Sequence, residues 1–463
     1  MSYNYKDEMQ IESEFNESNI SDRNPKINHK NCYQPALDGK LWCKECVPHC
    51  MIEGWTSENN DIDKFIKDTI YNAKLKYDIN AKVEYPLFLE WVPFDRFEDV
   101  EQIGEGGFSK VYSAIWTDGN AEYFRQDDGS WKKRNPKPIK VALKKLNESQ
   151  NISTNYLNEI KTLWNIYFYD TNYLKFYGIT KDTKTKEFMM IIELANQGNL
   201  RSVLSSNFNN IFWYKKIKDL NDIAYDLKNL HELGYFHKDF HSGNILQNLE
   251  KSDISYSYIS DFGLSGPSNE QKLDDKNDKI CGVLPYIAPE VLNREPYTLS
   301  SDIYSFGVIM TELSSGKPPF YNRKHDISLG LEICNGIRPE FGKGTPEIYK
   351  KLAYRCMSAI PNQRPTASEL YDILDFWFKS HENEYYQEEK FGYKREEIKA
   401  IFDEADDEIP NISTSYEKNP DAIYTSRIFT FSNLPKPVNS SIITSYIDED
   451  NEDDQDSKLL IFN

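Results

Sequence analysis

The sequence predicts an α+β chain built as a smaller β-rich lobe followed by a larger helical one. Three observations carry this. From Phe97 to Glu193 the apolar segments "FEDVEQIG", "KVYSAIW", "IKVALKKL", "LKFYGIT" and "FMMIIEL" are short, rich in Val, Ile, Tyr and Phe, and bounded by turn residues, as strands are. From Leu200 onward the period changes to that of a helix: "DLNDIAYDLKNLHELG" sets Leu220, Ile223, Ala224, Leu227 and Leu230 on one face. Strands first and helices afterward make two packed layers around separate apolar faces.

Taken in order, residues 1–28 read as a disordered arm of Asn, Ser, Glu and Asp, and residues 29–60 as a cysteine-rich module. Residues 61–96 read as a helical linker, because Ile62, Phe65, Ile66 and Ile70 share one helical face. Residues 97–379 form the two-lobed domain, with Thr117–Pro138 as a long hairpin insertion full of turn residues. Within that domain "STNYLNEIKTLWNIY" reads as a helix, and Gly234 ends the later one as a C-cap. Residues 380–463 read as an acidic, mostly disordered tail: residues 381–463 hold 20 Asp+Glu against 8 Lys+Arg, a net of −12.

The 463 residues carry a formal net charge of −19, which argues against a nucleic-acid partner or an anionic membrane surface. No apolar run reaches the roughly 18 residues of a membrane span, and the polar, acidic N-terminus does not resemble a secretory signal. Seven cysteines without an export signal place the chain in the reducing cytoplasm, with the nucleus open as well. Oligomeric state is not legible.

Several motifs carry chemistry. "IGEGGFSKVY" at Ile103–Tyr112 lies between two strands; a glycine-rich turn there makes either a tight hairpin or a phosphate cradle, since glycine lets backbone N–H groups approach phosphate oxygens. In "VALK" the alternation sends Val141 and Leu143 to one face and Lys144 to the other. Glu159, mid-helix in "YLNEI", can pair with Lys144 and aim its ammonium at a phosphate. "ISDFGLS" puts Asp261 after an apolar strand, where a carboxylate can hold a metal, and "HKDFHSGNIL" at His237–Leu246 is a polar loop between apolar flanks.

Together with "APE" at Ala288–Glu290, "SDIYSFG" at Ser301–Gly307 and "QRP" at Gln363–Pro365, these motifs stand in the order of a eukaryotic protein kinase, which the chain resembles from about Phe97 to Phe378. The closest flavour is the tyrosine-kinase-like group, and the cysteine-rich arm and tail resemble the expanded kinase families of mycorrhizal fungi. The resemblance implies the bilobal protein-kinase fold, ATP and Mg2+ as cofactors, and protein substrates. It also implies that Asp239 is the catalytic base, that Asn244 and Asp261 hold Mg2+, and that Lys144, paired with Glu159, orients the α/β-phosphates. Ile103, Gly104, Gly106, Gly107 and Ser109 would form the phosphate loop; Val111, Ala142 and Leu246 would sandwich the adenine. With Ile192 as gatekeeper, the backbone of Glu193 and Ala195 would bond the purine. His237 reads as a packing residue, Asp302 as the fastener of the catalytic loop, and Glu290 with Arg364 as a buried ion pair.

The pattern departs in places. Ser109 stands where the loop's third glycine is usual, and a left-handed backbone there would cost about 1–2 kcal/mol. Lys238 replaces arginine before Asp239, which weakens the case for control through activation-loop phosphorylation at Ser265 or Ser268. His241 replaces a lysine common in serine/threonine kinases. "CGVLPYIAPE" resembles the serine/threonine type, although Val283 stands where threonine is common, so serine/threonine transfer is expected with dual or tyrosine specificity open. The alternative class is a pseudokinase scaffold. Finally, His29, Cys32, Cys43 and Cys46 form paired N/S ligands for a structural Zn2+, with His49 and Cys50 as alternative fourth ligands; free thiols are the other reading.

Overall fold

The computed structural model describes residues 49–78, 83–106, 109–120, 123–125, 131–133, 137–146, 154–169, 173–249, 255–267, 280–382, 389–431 and 434–446. The chain divides into two compact units, one of residues 1–55, 67–88 and 122–134 and the other of 56–66, 89–121 and 135–463, so one helix is shared between them.

The first unit holds the short helix α1 (His49–Ile52) and two antiparallel hairpins. One pairs β1 (Lys74–Asp78) with β2 (Val83–Leu87); the other, β6 (Tyr123–Arg125) with β7 (Trp131–Lys133), is the hairpin predicted within Thr117–Pro138. Phe88 meets Tyr123 with ring centroids 5.8 Å apart, and Leu87, the residue before Phe88, is buried. The helix predicted from Asp61 is α2 (Asn60–Tyr71), which buries Ile62, Ile66 and Ile70 at i, i+4 and i+8. Asn59 caps it, its side-chain oxygen accepting from the backbone N–H of Asp61 and Ile62. The expectation of a helical linker over 61–96 therefore needs correction: the helix ends at Tyr71, and "KLKY" belongs to β1, held extended by its pairing with β2.

In the second unit a six-stranded sheet runs in the order β3-β9-β10-β8-β5-β4. Its strands are β3 (Glu90–Trp91), β4 (Phe97–Glu105), β5 (Ser109–Trp116), β8 (Ile139–Leu146), β9 (Phe176–Lys181) and β10 (Phe188–Glu193). Strand β3 pairs parallel with β9, so the sheet begins ahead of Phe97. One face buries Val92, Phe97, Ala114, Trp116, Val141, Leu143, Met189 and Ile191. The helix α3 (Thr154–Tyr169) follows β8.

The helical part comprises α4 (Leu200–Asn207), α5 (Trp213–Glu232), α6 (Pro289–Leu292), α7 (Leu299–Ser315), α8 (Ile327–Cys334), α9 (Glu347–Cys356) and α10 (Ala367–Lys379). The face of α5 read from the sequence is buried as expected, and the chain leaves the helix through Gly234, whose φ of +78° only glycine adopts freely. Small sheets complete this part: β11 (Gly198–Asn199) with β13 (Ile245–Leu249) and β14 (Ser255–Ile259), and β12 (Tyr235–Phe236) with β15 (Gly266–Pro267). Among the described residues no helix is long and apolar enough to cross a membrane.

Past Ser380 the structure differs most from expectation. A hairpin of β17 (Glu389–Lys390) and β18 (Tyr393–Lys394) leads into α11 (Arg395–Asp406), and β19 (Arg427–Phe429) pairs antiparallel with β16 (Ile280–Gly282). Residues 441–446 are helical. Ile398, Phe402, Ile409, Ala422, Phe429, Leu434 and Ile443 are all buried. Acidic composition over the whole stretch concealed these apolar anchors: α11 packs on α5 and α10, and β19 on β16. The end of the segment docks closely enough that a Cβ on Gly336 would meet the Ser440 backbone nitrogen at 2.6 Å. His29, Cys32, Cys43 and Cys46 lie outside the described residues, as does the arm 1–28.

Candidate active site

Alternation along β8 decides the first half of the site. Val141 and Leu143 go into the sheet core, which sends Ala142 and Lys144 to the opposite face. There the Lys144 ammonium lies 2.6 Å from Glu159 Oε1 of α3 and 2.7 Å from Asp261 Oδ1. Burial works against its charge, but the Asp261 and Glu159 carboxylates outweigh it and hold the pKa above the ordinary lysine value. Lys144 is thus a permanent cation. Asp261 is half-buried, which works against its charge, yet Lys144 keeps its pKa below the ordinary value. A Cβ on Gly263 would stand 3.2 Å from Glu159 Oε2 and 3.3 Å from Asp261 Oδ1, so the glycine after Phe262 makes room for this triad.

The second half is the loop between β12 and β13. Asp302, fully buried in α7, accepts from the backbone N–H of His237 (2.8 Å) and Lys238 (3.2 Å) and from Tyr297 Oη (2.7 Å). These bonds pin Lys238 at φ +67°; Asp261 also has φ +67°. Left-handed non-glycine residues persist only where their surroundings over-determine them, and both stand at the chemistry. His237 is a packing residue, as expected. Its Nδ1 accepts from Asp239 N at 3.3 Å, so Nε2 carries the proton toward Ser260 O at 3.0 Å, and the ring lies between Phe240 and Phe262.

Asp239 is buried, with Oδ2 accepting from the Ser426 hydroxyl and Oδ1 without a hydrogen-bond partner among the described residues. His241 Nδ1 accepts from Gly243 N at 3.1 Å, which leaves its Nε2–H facing Asp239 Oδ1 at 3.6 Å. Burial alone would raise the Asp239 pKa; the His241 ring and the Ser426 hydroxyl outweigh it and hold the group below the usual carboxylate range. The site therefore keeps an ionised carboxylate aimed at a hydroxyl.

Asn244 donates its amide to Asp239 O at 2.9 Å, which leaves its amide oxygen as the remaining acceptor. That oxygen and the Asp261 carboxylate are the hard donors Mg2+ prefers, and such sites are completed by water and substrate phosphates. No larger group of His, Cys, Asp or Glu among the described residues is arranged for a metal. At the hinge, the Glu193 N–H already donates to Lys175 O at 2.9 Å, which takes that donor away from a purine. Ser109 is buried and does not take a positive φ, so the strain expected of a serine there does not arise. The turn is instead closed by Gly106 N donating to Ser109 O at 2.8 Å. Gly107 lies outside the described residues; Ile103 is exposed, while Val111 and Leu246 are half-buried.

The expected large-lobe ion pair is present in bidentate form: Arg364 Nη1 and Nη2 lie 2.7 and 2.6 Å from the two Glu290 oxygens. Ser426 was missed by sequence reasoning. One signal was available: residues 422–447 contain no Asp or Glu, a break in an otherwise acidic tail.

A two-lobed fold with a lysine–glutamate–aspartate triad opposite a buried catalytic-loop aspartate defines a phosphotransferase of the protein-kinase class. The profile of the protein tyrosine and serine/threonine kinase family matches residues 97–374, and the chain belongs to that family. Among curated proteins it is 28% identical over 316 residues to a probable serine/threonine-protein kinase of Dictyostelium discoideum, covering 66% of this chain and 30% of that one. A probable LIM domain-containing serine/threonine-protein kinase of the same organism is 30% identical over 203 residues, 44% of this chain and 20% of the other. The cysteine-rich receptor-like protein kinase 6 of Oryza sativa subsp. japonica is 28% identical over 305 residues, 61% and 40% of the two chains. The match thus spans well under half the length of each of these relatives.

Proposed function

We propose that this chain transfers the γ-phosphoryl group of ATP to serine and threonine hydroxyls of proteins, as a signalling kinase of the tyrosine-kinase-like group and of the kind expanded in mycorrhizal fungi. The observation that carries the reading is the pairing of an ionised Asp239 with a hydroxyl while Lys144 is held by both Glu159 and Asp261. Asp239 orients the acceptor hydroxyl and takes its proton. Lys144 meets the α/β-phosphates, and its two carboxylate partners fix where the ammonium points. Asn244 and Asp261 would hold Mg2+, which supplies charge neutralisation to the phosphates when bound. Little covalent chemistry is needed; positioning and electrostatics lower the barrier. The adenine lies between Val111 and Ala142 on one side and Leu246 on the other.

A structural Zn2+ held by Cys32, Cys43, Cys46 and His29 belongs to the same proposal, as does a cytoplasmic or nuclear location. The free thiols of Cys281, Cys334 and Cys356 accord with a reducing compartment. The test is incubation of the full chain with Mg-ATP and a peptide library that sorts phosphoserine, phosphothreonine and phosphotyrosine. Phosphoserine and phosphothreonine are expected. Stabilisation by Mg-ATP without any transfer would refute the proposal in favour of a scaffold that only binds nucleotide.

A further inference from the structure

The segment after α11 returns to the catalytic loop and delivers a hydroxyl there. Strand β19 adds to the edge of β16 in the register Ile280↔Phe429, Cys281↔Ile428, Gly282↔Arg427. This is how an extended peptide is recognised: main-chain pairing supplies affinity and alternate side chains supply fit. Phe429 is buried while its neighbour Ile428 is 51% exposed, the alternation such a strand requires. The residue just ahead of the strand is Ser426, and its Oγ donates to Asp239 Oδ2.

Contacts on both sides fix that placement. Upstream, Arg201 Nη1 donates to Tyr424 O at 3.1 Å, with the guanidinium 4.9 Å from the centre of the Tyr424 ring, and Tyr424 Oη donates to Pro319 O at 2.9 Å. His325 bonds Ile423 O through Nδ1 at 2.9 Å. Downstream, Arg427 Nη2 donates to His325 O, and Arg294 Nε donates to Phe431 O at 2.9 Å. Ser426 is therefore stretched between two anchored ends over the one carboxylate that the chemistry needs. A blocking segment would serve equally well with alanine or glycine here, but this one presents a nucleophile.

We propose that Ser426 is the phosphoacceptor of an intramolecular transfer, with the β19 segment as the kinase's own tethered substrate. The proposal rests on the reading of Asp239 given above. Ser426 Oγ forms a bond to the γ-phosphorus of ATP, the bond from that phosphorus to the bridging β–γ oxygen breaks, and ADP leaves. The hydroxyl proton passes to Asp239 and from there to solvent. The product carries about two negative charges at neutral pH, set against the Asp239 carboxylate in a buried site. Like-charge repulsion at that distance expels the strand, and the β16 edge becomes open to other proteins.

The test uses the full chain with Mg-ATP, following phosphate at Ser426 by mass spectrometry and a serine/threonine peptide library in parallel. Phosphate is expected at Ser426, with a fractional rate unchanged across a tenfold range of enzyme concentration. A rate proportional to enzyme concentration overturns the intramolecular step. Library phosphorylation with Ser426 left bare overturns the inference and leaves the kinase reading standing. Phosphate on neither overturns that reading, and this inference with it. Hydrogen exchange supplies a readout independent of turnover. Amides of residues 427–429 are expected to be protected before ATP and exposed after it, and to stay protected with ATP in Ser426→Ala. Protection that survives stoichiometric phosphorylation overturns the release of the strand.

Discussion

Replacing Phe402 by alanine tests whether the segment beyond the kinase domain is part of the folded unit. Phe402 is fully buried in α11, its ring 5.6 Å from Trp213 and 5.4 Å from Trp377. Truncating a buried phenylalanine to alanine costs about 3–5 kcal/mol, through lost transfer free energy and the cavity left between the two tryptophans. The loss is bounded above by the free energy that docks α11, because beyond that point the helix simply leaves. For a domain of about 280 residues each kcal/mol moves Tm by roughly 1.5–2 °C, so a fall of about 5–10 °C is expected. Urea unfolding followed by tryptophan fluorescence reads the same change directly, since two indoles line the cavity. A loss below about 1 kcal/mol with an unchanged m-value would refute the packing argument, and residues past Ser380 would then be a passenger after all.

Four further outcomes follow from the same structure. Glu290→Gln leaves the fully buried Arg364 without its counter-charge and should cost about 3–5 kcal/mol in chemical denaturation; a loss under 1 kcal/mol would contradict the bidentate pair. Asp239→Asn should lower single-turnover transfer by orders of magnitude while the Mg-ATP thermal shift persists, and an intact rate would remove Asp239 from the chemistry. Lys216 is buried without a hydrogen-bond partner among the described residues, and burial pushes its pKa down from 10.5 to about 7. The unfolded chain then binds the extra proton between those values, so stability rises with pH across that window. Lys216→Met should therefore stabilise by about 1–4 kcal/mol at pH 6 and by much less near pH 10, with a pH-independent effect counting against it. Cys43→Ser should release about one zinc per chain under reducing conditions; a metal-free wild type would refute the zinc proposal.

The catalytic core was legible because its chemistry is written locally. Val141 and Leu143 alternate with Lys144 on one strand, and the order of Asp239, Asn244 and Asp261 along the chain leaves few alternatives. The strands of 74–87 were not legible, since "KLKY" continues a helical pattern by composition and is turned extended only by pairing with β2. The folded tail was hidden for a related reason. Ile398, Phe402, Ala405 and Ile409 do share a helical face, but the acidic residues between them dominate the count, and Phe429 and Ile443 stand outside any such period. Ser426 could be found only by seeing which residue the paired strand sets beside Asp239. Sequence distance of 187 residues separates the two.

The pairing of β16 with β19 also sets terms for every other protein that would be phosphorylated. A strand held on the same chain faces its groove at an effective concentration of order millimolar for a short tether. A free peptide that binds the bare groove with micromolar affinity would be outcompeted by the resident strand unless it were itself brought close. Substrates of such an enzyme must either arrive after the strand has gone or be carried in by a second attachment elsewhere on the molecule. Co-localisation, more than the side chains flanking an acceptor hydroxyl, would then decide what is modified.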